Sequence, residues 1–136
     1  MTFALDPRLA ADTFSIGDLS LSRALLMNDA RHPWLILVPR RAGLTELVDL
    51  DRAERTLLME EIALASEALR TLPQVDKINV GALGNIVRQL HLHIVARTIG
   101  DVAWPGPVWG AGSPQRYEES AAAELVARMR RALAIS

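Results

Sequence analysis

The chain has 136 residues, half of them hydrophobic, which is enough apolar surface for one buried core. A formal net charge of -1 excludes a general attraction to nucleic acid or to a membrane surface. With no cysteine there is neither a disulfide framework nor a thiolate metal site, which fits a reducing cytoplasm.

Met1 to Pro7 lacks the basic start and long apolar run of a signal peptide, and no uncharged apolar stretch approaches membrane-spanning length. The expected setting is the cytoplasm, away from membranes. Ala4 to Ala11 reads as a short helical turn opened by Asp6-Pro7, and Ile16 to Leu21 as a first short strand. Arg23 to Met27 and Trp34 to Val38 flank Asn28-Asp29-Ala30-Arg31-His32-Pro33, whose turn formers predict an antiparallel hairpin. Asp51 followed by Glu54 has the spacing of a capping box. Leu57, Leu58, Ile62, Ala65 and Leu69 then recur at helical intervals until Leu72-Pro73.

Lys77 to Val80 and Val87 to Arg97 predict a second strand pair around a turn containing Gly81 and Gly84, and Tyr117 to Ile135 predicts a terminal helix. Between them Asp101 to Gln115 carries three prolines and two tryptophans, a loop long enough to suggest a site or an interface. No linker or repeat divides the chain. The expectation is one domain over 1–136, with 101–136 a loop and C-terminal helical tail. Its class is α+β, a mostly antiparallel five-stranded sheet with helices packed on one face.

Chemistry concentrates in Gln89-Leu90-His91-Leu92-His93-Ile94-Val95, where polar and aliphatic residues alternate with the period of a strand. Gln89, His91 and His93 are expected on one face, with Leu90, Leu92 and Ile94 buried behind them. A neutral imidazole is a competent nucleophile near neutral pH. Histidines at i and i+2 can also ligate zinc, copper or iron, with His32 a third ligand across the sheet. No Asp or Glu stands within the strand to support such a site.

The run Asn79 to Arg97 resembles the signature of the histidine triad (HIT) family, His-apolar-His-apolar-His-apolar-apolar, with Gln89 at the first histidine, His91 at the second and His93 at the third. Asn28, the Trp34-to-Pro39 strand, the Asp51 helix and the Asn79-Gly81-Gly84-Asn85 loop follow the family's order, and Trp104 to Trp109 resembles the tail of its bacterial members.

The resemblance implies a HIT-like fold and a nucleotide hydrolase or nucleotidyl transferase. His91 would attack the α-phosphate of a dinucleoside polyphosphate or nucleoside-phosphate conjugate to form a nucleotidyl-histidine. His93 would stabilise phosphate oxygens, and Gln89 would donate an amide hydrogen bond to one of them. Asn85, six residues before His91 at a position usually held by glutamine, would contact phosphate. Asn79 and Gly84 fall in the same nucleotide-binding loop, and Asn28 matches a residue near the ribose. Gly84 and Asn28 could equally serve their turns. No cofactor or metal is required, and a homodimer is implied, with tails reaching toward the neighbouring site. A non-catalytic nucleotide-binding module is the alternative.

Three departures stand out. Gln89 replaces the first histidine, Trp34 stands where many members place a supporting histidine, and Ile86 occupies a Ser or Thr position. His32 is expected in a turn, exposed to water.

Overall fold

The computed structural model describes residues 2–136; Met1 lies outside the described residues. Helix α1 (Pro7–Asp12) begins as its sequence dictates. Asp6 caps it by accepting from the Arg8 N–H, and Pro7 takes the first helical position, where a missing N–H costs nothing. Strand β1 (Thr13–Asp18) follows directly, so it starts earlier than Ile16. Leu19 to Leu21 form the turn into β2 (Ser22–Met27) instead of extending β1. Strand β3 (Trp34–Pro39) completes the hairpin, α2 (Arg52–Arg70) crosses back, and β4 (Lys77–Gly81), β5 (Leu92–Arg97) and α3 (Glu119–Ala132) finish the chain. The five strands lie in the order β1-β2-β3-β5-β4, every neighbouring pair antiparallel.

The capping box of α2 forms as its spacing requires: Asp51 accepts from the Glu54 N–H at 2.8 Å, and Glu54 accepts from the Asp51 N–H at 3.1 Å. About two turns further along, the buried Glu61 carboxylate accepts from the Leu21 and Ser22 N–H groups and pins the β1–β2 turn to the helix.

Side-chain alternation sorts the sheet into two faces. Leu35, Leu37, Leu92 and Ile94 join Leu58, Ala65, Ala68 and Leu69 of α2 and Met129 of α3 in one core. On the other face Leu25, Trp34, Ile36, Val38 and Val95 gather with Leu9 of α1 and Val108 of the tail. The helices are therefore not all on one face: α1 packs opposite α2 and α3, because Leu9 is its buried residue.

Two further expectations are corrected. Strand β5 begins at Leu92, five residues later than Val87, because β4 ends at Gly81 opposite His93 and offers no ladder beyond it. The Leu90 N–H is donated to the Leu44 carbonyl at 3.0 Å, so 82–91 is an irregular segment. The terminal helix starts at Glu119, since the Tyr117 N–H is taken by the Asn28 side chain, and stops before Ala134, whose φ is 56°.

Candidate active site

Strand β5 and the segment before it bring His91 and His93 together, with ring centroids 4.9 Å apart and planes at 69°. Both are 6% exposed and line a cleft of about 610 Å³. Each ring is held differently. The His91 Nδ1 stands 2.6 Å from the Gln89 backbone carbonyl, which can only accept. The proton is therefore on Nδ1, and the Nε2 lone pair is left available. The Trp34 indole N–H, which can only donate, meets the His93 Nδ1 at 3.0 Å, so that nitrogen is the acceptor and the His93 proton sits on Nε2. Burial, and then the charge of neighbouring His91, push the His93 pKa down to about 4. His93 is thus a neutral hydrogen-bond donor.

Aromatic rings fix His93 further. Trp34 lies edge-on to it at 5.6 Å, and Trp109 of the tail does the same at 5.4 Å. Trp109 can lie there because residue 81 is glycine: a Cβ at Gly81 would come within 2.9 Å of the indole. The two tail tryptophans both contact residues of this chain. Trp104 lies under the Arg97 guanidinium at 5.5 Å, and Trp109 sits against this chain's own histidines. The Arg31 guanidinium, held by Asp29, also donates to the Ala111 carbonyl at 2.7 Å and fastens the tail across the cleft.

Of the residues read from the sequence, Asn28, Gly84 and Asn85 line the cleft with the two histidines, as does Ile86, which is 76% exposed. Asn28 accepts there from the Tyr117 N–H at 2.9 Å. Asn79 and Gln89 stand elsewhere. The Asn79 carbonyl oxygen accepts from Arg97 at 2.8 Å, within a buried cluster where Asp101 also holds Arg97 at 2.9 Å. The Gln89 amide does not share the face of His91 and His93, because the chain has left the strand at that point. It bonds instead to the N-terminal segment, accepting from the Asp6 N–H and donating to the Ala4 carbonyl, both at 2.8 Å.

His32, expected in water, is 1% exposed and lies 3.7 Å from Asp101, away from the histidine pair. Burial pushes its pKa down. Among the described residues no group of three or more His, Asp or Glu side chains stands together as a metal cage. Leu35 and Leu37 are core under α2, and Leu25 belongs to the core on the other face.

Sequence reasoning did not assign cleft roles to Trp109, Asp12 and Arg116, and it marked Trp34 only as standing where many members place a supporting histidine. Trp34 carried a usable signal. It pairs with Val95 across the β3–β5 ladder, which makes it a diagonal neighbour of His93, within reach of a long aromatic side chain.

A five-stranded antiparallel sheet, a long helix on one face and a His-x-His pair over a cleft on the other define the histidine triad class of α+β domain. The HIT domain matches residues 8–99, and the chain belongs to this family, whose members generally bind nucleotides and include nucleotide hydrolases and transferases. Three solved structures are similar over nearly their whole length. A histidine triad protein from Bradyrhizobium japonicum is 45% identical, with a TM-score of 0.94 over 98% of this chain and 99% of that one. One from Marinobacter aquaeolei VT8 is 46% identical, with a TM-score of 0.95 over 98% of each chain. One from Sinorhizobium meliloti 1021 is 46% identical, with a TM-score of 0.92 over 95% and 96%. The search of curated proteins gave no match.

Proposed function

We propose that this chain is a nucleotide hydrolase or nucleotidyl transferase acting at the α-phosphate of a dinucleoside polyphosphate or nucleoside-phosphate conjugate. The observation that carries the reading is the 2.6 Å contact between His91 Nδ1 and the Gln89 carbonyl, which directs the proton to Nδ1 and leaves Nε2 as the nucleophile. The Nε2 lone pair forms a bond to phosphorus as the bond to the leaving oxygen breaks, its electron pair departing with that oxygen. Water or another hydroxyl then attacks phosphorus, the N–P bond breaks, the pair returns to Nε2, and the acceptor's proton passes to solvent.

His93, neutral with its proton on Nε2, donates to a phosphoryl oxygen in both steps. Asn28, Gly84 and Asn85 on the cleft wall hold the rest of the nucleotide. No cofactor enters these steps. The reading includes a cytoplasmic homodimer. Its support is the edge position of β4, with Val80 48% exposed, beside Leu83, which is 45% exposed.

The test mixes the protein with a dinucleoside polyphosphate, quenches without acid and measures intact mass. One nucleotidyl adduct per chain is expected, absent from His91→Ala, which still binds the nucleotide. Binding without adduct or turnover in the unaltered protein would leave a nucleotide-binding module in place of an enzyme.

A further inference from the structure

Gln89 stands where the family signature has a histidine, yet its amide faces away from the cleft. The Ala4 carbonyl and the Asp6 N–H flank Leu5, and on an extended segment two such groups point to the same side. The Gln89 side chain meets both at 2.8 Å, one as donor and one as acceptor, as the peptide of a neighbouring strand would. The segment it grips is anchored in other ways too. Phe3 and Leu5 pack against the apolar cluster that contains Trp34 and Val108, and Arg23 lies over the Phe3 ring at 5.4 Å.

Asp6 is also the cap of α1, and α1 ends at Asp12, which lines the cleft. The backbone of this same Gln89 supplies the carbonyl that holds His91 Nδ1. One residue thus joins the N-terminal segment, through its side chain, to the nucleophile, through its main chain. It does so in a stretch without a strand ladder to hold its peptide in place.

We infer that Gln89 is a positioning residue: its amide clamps the N-terminal segment at Ala4 and Asp6, and the clamp fixes the Gln89 carbonyl that keeps His91 protonated on Nδ1 with Nε2 free. The inference rests on the reading of His91 as nucleophile only for its effect on rate; the clamp and the ring tautomer are measurable without turnover. An amide suits the task because it presents a donor and an acceptor side by side. A carboxylate keeps the acceptor for Asp6 and sets a negative charge against the Ala4 carbonyl.

The experiment uses the full chain and two variants, Gln89→Glu and Gln89→Ala, with uniform nitrogen-15 labelling. Amide hydrogen exchange at Asp6, whose N–H the Gln89 side chain accepts, reads the clamp. Nitrogen shifts of the His91 ring at a pH where it is neutral read the tautomer. In Gln89→Ala exchange at the Asp6 amide should rise about tenfold, the size set by losing a bond of ordinary strength. The His91 ring should pass from one tautomer to a mixture. In Gln89→Glu the Asp6 amide should stay more protected than in Gln89→Ala, with the tautomer mixed in both.

Where nucleotide turnover is measured, kcat should fall about tenfold, with KM changed less than twofold. Faster exchange with an unaltered His91 tautomer would make Gln89 a tether and nothing more, and would overturn the inference. So would unaltered exchange. If the tautomer mixes while neither the parent nor any variant turns over nucleotide, the clamp stands and the enzymatic reading falls. Should Gln89→Ala not fold, Gln89→Glu alone decides, by the same two shifts.

Discussion

On the face of the sheet under α2 and α3, Leu35, Leu37, Leu92 and Ile94 are aliphatic and almost wholly buried. On the opposite face the residues between them, Trp34, Ile36 and His93, meet a thin cover of α1, the N-terminal segment and the tail, and His93 opens onto the cleft. The same alternation of the same strands thus makes a rigid base on one side and a chemical surface on the other. The difference teaches a division of labour: substitutions on the helix face should act on stability, and those on the cleft face on chemistry.

The sharpest way to break that comparison is to change one residue on each face. His91→Ala should lower turnover on the order of a thousandfold or more, since it removes the attacking atom, and should cost about 1 kcal/mol or less in stability. Kinetics beside a urea titration measures both. A variant that is inactive only because it is unfolded would mean that the histidine is structural. Ile94→Ala, one residue beyond His93, should do the reverse. It empties a site that is 0% exposed, and should cost about 2–5 kcal/mol of stability while leaving kcat per folded molecule within about twofold. A large loss of kcat at full stability would show that the two faces are not separable.

Much of this division could be read from the residues, because it rests on local rules. The alternation from Leu92 to Arg97, the Asp51–Glu54 box and the turn formers between β2 and β3 each act over a few positions, and each forms the element expected. The misplaced features depend on contacts distant in sequence. Gln89-Leu90-His91 continues the alternation, but no letter in it says that β4 has already turned away at Gly81 or that Leu44 will take the Leu90 N–H.

The Gln89 amide finds its partners 83 and 85 residues away. His32 is buried because the tail folds back and sets Asp101 beside it, joining residues 69 positions apart (101 minus 32). The histidine pair itself was legible because two residues on one strand face need no distant partner to be neighbours.

Acid should sharpen the contrast, because the cleft face carries a buried titrating ring and the aliphatic face relies on hydrocarbon. His93 has a pKa of about 4 in the fold and near 6.5 when unfolded. Between these values the unfolded chain holds a proton that the folded chain does not. Stability therefore rises with pH through this window and falls on acidification. From pH 7 to pH 5 the loss attributable to this ring is about 2 kcal/mol. Burial shifts His32 in the same direction, so it adds to the slope with the same sign. Urea midpoints across this range measure the effect, and His93→Asn should flatten the slope. A slope unchanged in that variant would move the linkage to His32.

The smallest expected effect tests how the cleft face holds its own ring. Trp34→Phe keeps an aromatic side chain on β3 but deletes the indole N–H that meets His93 Nδ1 at 3.0 Å. The lost hydrogen bond should cost about 1 kcal/mol of stability, well below the cost of Ile94→Ala. A donor aimed at Nδ1 favours the neutral ring, so removing it should raise the His93 pKa from about 4 toward 6.5, although burial and the nearby His91 remain. The ring should also lose its single tautomer and place its proton on Nδ1 for part of the time, where it cannot serve phosphate from Nε2. Nitrogen shifts of His93 followed through a pH titration report both changes. A His93 that keeps its proton on Nε2 and its low pKa in Trp34→Phe would show that burial and Trp109 alone set its state, and would reduce Trp34 to the packing role that Ile36 and Val38 play beside it.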